Sequence, residues 1–297
     1  MDKVIVCVAP TSNFQGKEAN PAIPYTPREI ADEVCRAWNE GASIVHIHAR
    51  DDNGIPTNEP RFYQEIDRLI REKKCDIIIQ HSMAPANTPA LLSQGGLADI
   101  DEGLRTSTTT PPPEMVSLEV GPAMPLIPKA KPFLIGWNRL WAEKVAKGLL
   151  EKGIKPEIEI GSNSLFEALE FLIEKGALSK HYYVSFVLNM HRHMEGAIKY
   201  SPRHLMQMVD LLPPDSRFTV LGVGYPTQFE ATTQSLLLGG NVRVGFEDNI
   251  YIEKDKSLAK SNAELVAKVV NIARAIGREI ASPQEARQML GIPPLKL

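Results

Sequence analysis

Eight short apolar runs, rich in β-branched residues and separated by helical stretches, fill this 297-residue chain from end to end, and nothing else in it restricts the fold as much. The runs are 3–9 (KVIVCVA), 43–49 (SIVHIHA), 76–82 (DIIIQHS), 115–120 (MVSLEV), 157–161 (EIEIG), 182–188 (YYVSFVL), 217–223 (RFTVLGV) and 241–245 (NVRVG). Most read as continuous hydrophobic stretches, as strands covered on both faces do. An unbroken β/α series of eight predicts a closed (β/α)8 TIM barrel in the α/β class rather than an open sheet. Such a barrel needs roughly 250 residues. The chain is therefore read as a single barrel domain over residues 1–297, with helices added at its C-terminal end.

The helices carry legible starts. Thr26-Pro27-Arg28-Glu29 offers an N-cap threonine, a proline in the first turn and a glutamate that can reach back. Ser261-Asn262-Ala263-Glu264 and Ser282-Pro283-Gln284-Glu285 repeat that logic. After Ser261 the spacing puts Leu265, Val266, Val269, Val270 and Ile276 on one side, with Gly277 able to close the helix. The turn-forming stretch Thr106–Pro113 is read as a loop inside the barrel, because a β-run resumes at Met115.

Bulk properties exclude several function classes. A net charge of −3, with no basic run interleaved with aromatics, argues against a nucleic-acid partner. No segment approaches the ~18 consecutive apolar residues of a membrane span, and the apolar run near the N-terminus is too short for a secretory signal. Cys7, Cys35 and Cys75 are odd in number and widely spaced, which suits a reducing cytoplasm.

Chemistry enters at His46 and His48. On a strand, residues two apart leave the same face, so both imidazoles project together while Val45 and Ile47 face the other way. Burying two imidazoles costs free energy unless they share a partner, and a divalent metal uses both. In a parallel barrel the working groups collect at the C-terminal strand ends. Those ends hold His81 and Ser82 after the third run, Ser117 and Glu119 in the fourth, Glu159 in the fifth, and Arg243, Glu247 and Asp248 at the eighth. Two histidines plus a carboxylate from Glu247 or Asp248 make a three-ligand site with an open position, the arrangement of a catalytic metal. Arg243 with Glu247 and Asp248 can equally be a solvated ion-pair cluster, and Ser82 and Ser117 taken alone read as structural. His191 and His193 form a second His-x-His, but on a loop with less pre-set geometry.

The combination of His46-x-His48, Pro24–Ile30, Asp51-Asp52-Asn53-Gly54, Pro156–Glu159 and Val242–Asn249 resembles the β-keto acid cleavage enzymes, typified by 3-keto-5-aminohexanoate cleavage enzyme. The resemblance runs over nearly the whole length. It implies a cytoplasmic homo-oligomer, with a tetramer favoured, carrying one Zn2+ per chain. The implied reaction converts a β-keto acid and acetyl-CoA into acetoacetate and a new acyl-CoA by Claisen and retro-Claisen chemistry. By that similarity His46, His48 and Glu247 hold Zn2+ and Asp248 is the base. Arg243 orients Asp248 with Glu159 behind it, and Ser82 and Ser117 hydrogen-bond the substrate carboxylate.

Departures from the family pattern bear on the substrate. Phe14 stands where the type enzyme has an amine-binding glutamate, and Glu119 where it has an asparagine. The substrate expected here is therefore not 3-keto-5-aminohexanoate. It offers apolar surface to Phe14 and a cation or hydroxyl to Glu119. The segment Ser93–Pro113 is longer than in the type enzyme, and Tyr225 occupies a position that is often basic. The alternative is a metal-dependent barrel hydrolase acting on an amide or ester. That chemistry generally needs further histidines ending strands five and six, where His191 and His193 are the only candidates.

Overall fold

In a computed structural model describing residues 2–295, the alternating runs close into an eight-stranded parallel barrel. The expected domain spans 1–297, so its first residue and last two lie outside the described residues. The strands are β1 (Val6–Val8), β2 (Ile44–Ile47), β3 (Ile78–His81), β4 (Met115–Glu119), β5 (Lys155–Ile160), β6 (Tyr182–Leu188), β7 (Ser216–Gly222) and β8 (Asn241–Val244). Each pairs with the next in sequence, and β8 returns to β1 with Cys7 opposite Arg243. β2 is shorter than its apolar run, because Ala49–Arg50 leave the barrel to pair antiparallel with Pro56–Thr57.

Outward residues of β1, β2 and β3 (Val6, Val8, Val45, Ile47, Ile79) pack on Ile30, Val34, Ile66, Ile70, Leu265, Val266 and Val269. These come from α1 (Pro27–Asn39), α2 (Pro60–Glu72) and α8 (Asn262–Ala275), the intervening helices being α3 (Pro89–Gln94), α4 (Arg139–Glu151), α5 (Phe166–Glu174), α6 (Pro202–Asp210) and α7 (Thr227–Leu237). The opposite half repeats the arrangement, with Val116, Leu118, Ile158, Val184 and Val220 against Leu149, Leu169, Leu205 and Met208. Each fully buried branched side chain contributes roughly 1.5–3 kcal/mol. The strand–helix layers, not the polar lumen, therefore hold the barrel together. Below the lumen, Ile5, Ile44, Ile78, Met115 and Tyr183 form a floor, closed by Ala286 and Leu290 of α9 (Pro283–Leu290).

The helix starts behave as their sequences predict. Thr26 and Ser282 each complete a reciprocal capping box with Glu29 and Glu285, and the Ser261 hydroxyl accepts from the Glu264 amide. Ile276 departs from expectation: α8 ends at Ala275, and Ile276 stands 40% exposed beyond it. The β3–β4 connection also differs from a plain loop, since Glu102–Thr108 forms a 3-10 turn that includes the start of the 106–113 stretch. Short two-residue pairings build a rim above the barrel: Gly96–Leu97 with Phe133–Leu134, and Met124–Pro125 with Met194–Glu195. Among the described residues no helix is long and apolar enough to cross a membrane.

Candidate active site

At the C-terminal mouth of the lumen, β2 delivers His46 and the residue beyond it delivers His48, both nearly fully buried. Across the barrel, β8 is followed by Gly245, whose φ of +146° only glycine adopts without strain, and where an added Cβ would overlap the Ala9 carbonyl oxygen. The following turn hangs on that contact. The Glu247 amide donates to the Ala9 carbonyl (3.1 Å), and the amides of Asp248 and Asn249 donate to the Gly245 carbonyl (3.1 and 3.0 Å). This folds Glu247 and Asp248 back over the lumen.

The Nε2 atoms of His46 and His48 lie 3.3 Å apart. Glu247 Oε2 is 3.6 Å from His46 Nε2, and Oε1 is 3.4 Å from His48 Nε2. One ligand atom from each residue falls within 4.8 Å of the others. Glu247 Oε2 is buried with no hydrogen-bond partner, and the two imidazoles meet the carboxylate, one at each oxygen, at distances a cation can bridge. This nitrogen–oxygen donor set fits Zn2+ or a similar divalent ion. Burial, then Arg243, pushes His46 down to about 3, so it stands as a neutral imidazole ready to ligate. Burial also opposes the charge on Glu247, but the Arg243 guanidinium beside it overrules burial and holds that carboxyl well below its ordinary value.

Arg243, 2% exposed, ties the acidic groups together. Its Nε and Nη2 donate to the two oxygens of Asp248 (3.0 and 3.1 Å), Nη2 also lies 2.7 Å from Glu247 Oε1, and Nη1 lies 3.7 Å from Glu159 Oε1. Burial outweighs that pairing at Asp248 and raises it to about 7. The arrangement is thus a buried ion-pair network rather than a solvated one. A cavity of about 380 Å³ opens above it, lined by Phe14, His46, His48, Ser82, Glu119, Glu159, Arg243, Glu247 and Asp248 among others. Glu119 and Glu159 sit side by side in the β4–β5 register. Burial raises Glu119 to about 7, and burial together with Glu119 raises Glu159 well above its usual value.

Two expected positions come out differently. Ser117 faces inward one step below Glu119, in register with Glu157, and does not line the cavity; its hydroxyl is buried and unpartnered. His81 turns outward, its Nδ1 donating to the Thr106 carbonyl (2.8 Å) and its Nε2 meeting Asp67 of α2 (3.1 Å). His191 and His193 do not line the cavity, although Met190 and Met194 beside them do. Among the described residues the extra histidines that a barrel hydrolase needs are therefore missing from the site. Sequence reasoning passed over Gln80, whose Oε1 accepts from His46 Nδ1 (2.8 Å), and Glu157, whose Oε2 accepts from Gln80 Nε2 (3.2 Å). The available signal was parity: Gln80 shares a strand face with Ser82, and Glu157 with Glu159.

The chain is 38% identical to 3-keto-5-aminohexanoate cleavage enzyme of Fusobacterium nucleatum, over 98% of this chain and 99% of that one. It is 29% identical to 3-oxoadipate:acetyl-CoA acetyltransferase of Cupriavidus necator, over 99% and 96% of the two chains. Among solved structures the apo form of ObcA superposes with a TM-score of 0.73 at 16% identity, covering 92% of this chain and 66% of that one, a likeness of fold. The beta-keto acid cleavage enzyme model matches residues 3–292, nearly the whole barrel with its paired histidines and acidic turn, and the chain belongs to that family.

Proposed function

We propose that this enzyme is zinc-dependent and transfers the acyl part of a β-keto acid to coenzyme A, consuming acetyl-CoA and releasing acetoacetate. The observation that carries the reading is the convergence of His46, His48 and Glu247 within 4.8 Å, with Asp248 beside them under the grip of Arg243. A Zn2+ ion held by those three residues would supply Lewis-acid polarisation of the substrate's keto group. Asp248 takes the proton from the carbon between the keto and carboxylate groups, and its raised pKa of about 7 suits a base working near neutrality. Arg243 fixes both oxygens of that base and balances the charge gathered around it. Glu159 stands behind Arg243, and Ser82 donates to the substrate carboxylate with Ser117 beneath it.

The substrate carbanion attacks the thioester carbonyl of acetyl-CoA and expels the CoA thiolate. The thiolate attacks the original keto carbon, and the carbon–carbon bond to the new acetoacetate unit breaks. Asp248 returns its proton to the acetoacetate carbon, so the base ends as it began. The lumen is buried around these groups, which keeps water from the carbanion.

Phe14, 47% exposed at the mouth, and Glu119 in the wall address the tail. They fit a substrate that presents apolar surface to Phe14 and a cation or hydroxyl to Glu119, and not 3-keto-5-aminohexanoate. We read the enzyme as a cytoplasmic homo-oligomer, a tetramer by family likeness, which sedimentation of the purified protein tests. The functional test is incubation with acetyl-CoA and a panel of β-keto acids differing in tail polarity, following acetoacetate release with and without a chelator. Acetoacetate formation that is chelator-sensitive and needs acetyl-CoA is expected. Ester hydrolysis without coenzyme A would overturn the reading, and the aminohexanoate proving best by an order of magnitude would overturn the substrate assignment.

A further inference from the structure

Below the three candidate ligands, a line of buried polar groups runs down the lumen from His46 through Gln80 to Glu157. All three are at most 1% exposed. His46 and Gln80 are register partners on β2 and β3, while Glu157 reaches Gln80 from β5 across the lumen. The Gln80 amide meets each neighbour with a different end, Oε1 toward His46 Nδ1 (2.8 Å) and Nε2 toward Glu157 Oε2 (3.2 Å). An amide oxygen only accepts, so His46 carries its proton on Nδ1 and leaves the Nε2 lone pair facing His48 and Glu247. Were the amide reversed, its NH2 would face His46, Nδ1 would have to accept, and the proton would sit on Nε2 where a metal must bind. Nothing on His46 itself selects between these states. The carboxylate of Glu157 does, because it needs a donor.

We propose that Gln80 and Glu157 are positioning residues for the metal centre: Glu157 fixes which end of the Gln80 amide meets His46, and the amide thereby holds His46 in the one tautomer whose Nε2 can ligate. This rests on the metal reading above only for its effect on affinity; the tautomer itself is a property of the metal-free protein.

Two measurements test it. The ring 15N shifts of His46 in the unaltered, metal-free protein should report a proton on Nδ1; a proton on Nε2 overturns the proposal whatever the protein binds. Zn2+ affinity by chelator competition should then fall roughly tenfold or more in Glu157→Gln, since disturbing such supporting partners costs 10–100-fold. The double swap Q80E/E157Q restores an acceptor toward His46 with a donor behind it, and should recover affinity to within about threefold of the unaltered protein. Thermal melts of each variant separate a loss of fold from a loss of affinity. A purely packing role would lower the melting temperature of Glu157→Gln and leave its zinc affinity unchanged, and that outcome overturns the proposal. If the unaltered protein binds no zinc, the metal reading fails, and the 15N shifts still decide the tautomer.

Discussion

Glu247 and Asp248 are neighbours in the chain, the first mostly and the second fully buried, and both touch Arg243, yet they are pushed in opposite directions. Only Glu247 also faces the two imidazoles; there Arg243 overrules burial and keeps it charged, whereas at Asp248 burial wins and leaves the carboxyl near 7. The two roles should therefore separate cleanly. Glu247→Gln is expected to bind Zn2+ at least tenfold more weakly, since disturbing even a partner that only supports a ligand costs about 10–100-fold. Asp248→Asn should hold zinc as the unaltered protein does and lose about 10²–10⁴ in kcat. Chelator competition and acetoacetate release read the two effects independently, and equal zinc loss in both variants would merge the roles. Glu119 carries a second residue-scale prediction. Burial raises it to about 7, so it is neutral in mild acid and becomes a carboxylate as the pH rises through that value. Between about pH 6 and pH 8 its charged fraction rises roughly tenfold. The ratio of kcat/KM for an amine-tailed over a hydroxyl-tailed β-keto acid should rise by about the same factor, and Glu119→Gln should flatten it. Taking the ratio cancels the titration of Asp248, which both substrates share.

At the scale of elements, the turn after β8 is the piece on which the site depends most. Gly245 packs against backbone that has nowhere to move, at a φ of +146°. Gly245→Ala should cost about 1–3 kcal/mol of stability, as forced backbone strain does. It should also weaken zinc binding, because Glu247 is carried by the displaced turn; urea titration and chelator competition on one preparation would show both. This turn was only half legible in the chain. The sequence exposed the acidic pair but not the lean of β8 on Ala9 that makes glycine necessary. Parity explains the other gaps. A strand covered on both faces does not reveal which face points inward. In and just after β2 the two histidines break that tie, since Val45 and Ile47 alternate with them. In β3 the run Gln80-His81-Ser82 is polar at three successive positions, so parity groups Gln80 with Ser82 without saying that this pair faces the lumen while His81 faces α2. Ser117 has the expected parity, but its depth in the lumen follows from barrel register, which no single strand encodes. The two-residue pairings of the rim are too short to leave any periodicity at all.

Across the whole molecule, chemistry and stability occupy opposite ends of the barrel, as the architecture favours. The N-terminal end is held by Glu114, just before β4, which gathers Arg71 at the end of α2 (2.9 Å), the Ile79 amide of β3 (3.3 Å) and Arg287 of α9 (2.6 and 3.0 Å). Arg287 is 1% exposed and also donates to the Asp76 carbonyl (2.8 Å), so one side chain pins the closing helix beneath the floor. Arg287→Leu removes one of the two arginines that hold the half-buried Glu114 carboxylate, and leaving part of such an acceptor unsatisfied costs about 1–3 kcal/mol. The melting temperature should fall by several degrees, roughly 2 °C or more per kcal/mol in a domain of this size. The apolar floor of Ile44, Ile78, Met115 and Tyr183 lies between that contact and the ligand cluster. Zinc affinity and kcat of the folded variant at 25 °C should consequently stay within about twofold of the unaltered enzyme, as expected for sites without shared partners. Gly245→Ala loses stability and metal together, whereas Arg287→Leu should lose stability alone. A variant at Arg287 that released zinc without melting earlier would mean that the two ends of the barrel are coupled through the lumen, most directly along the buried polar line that begins at Glu157.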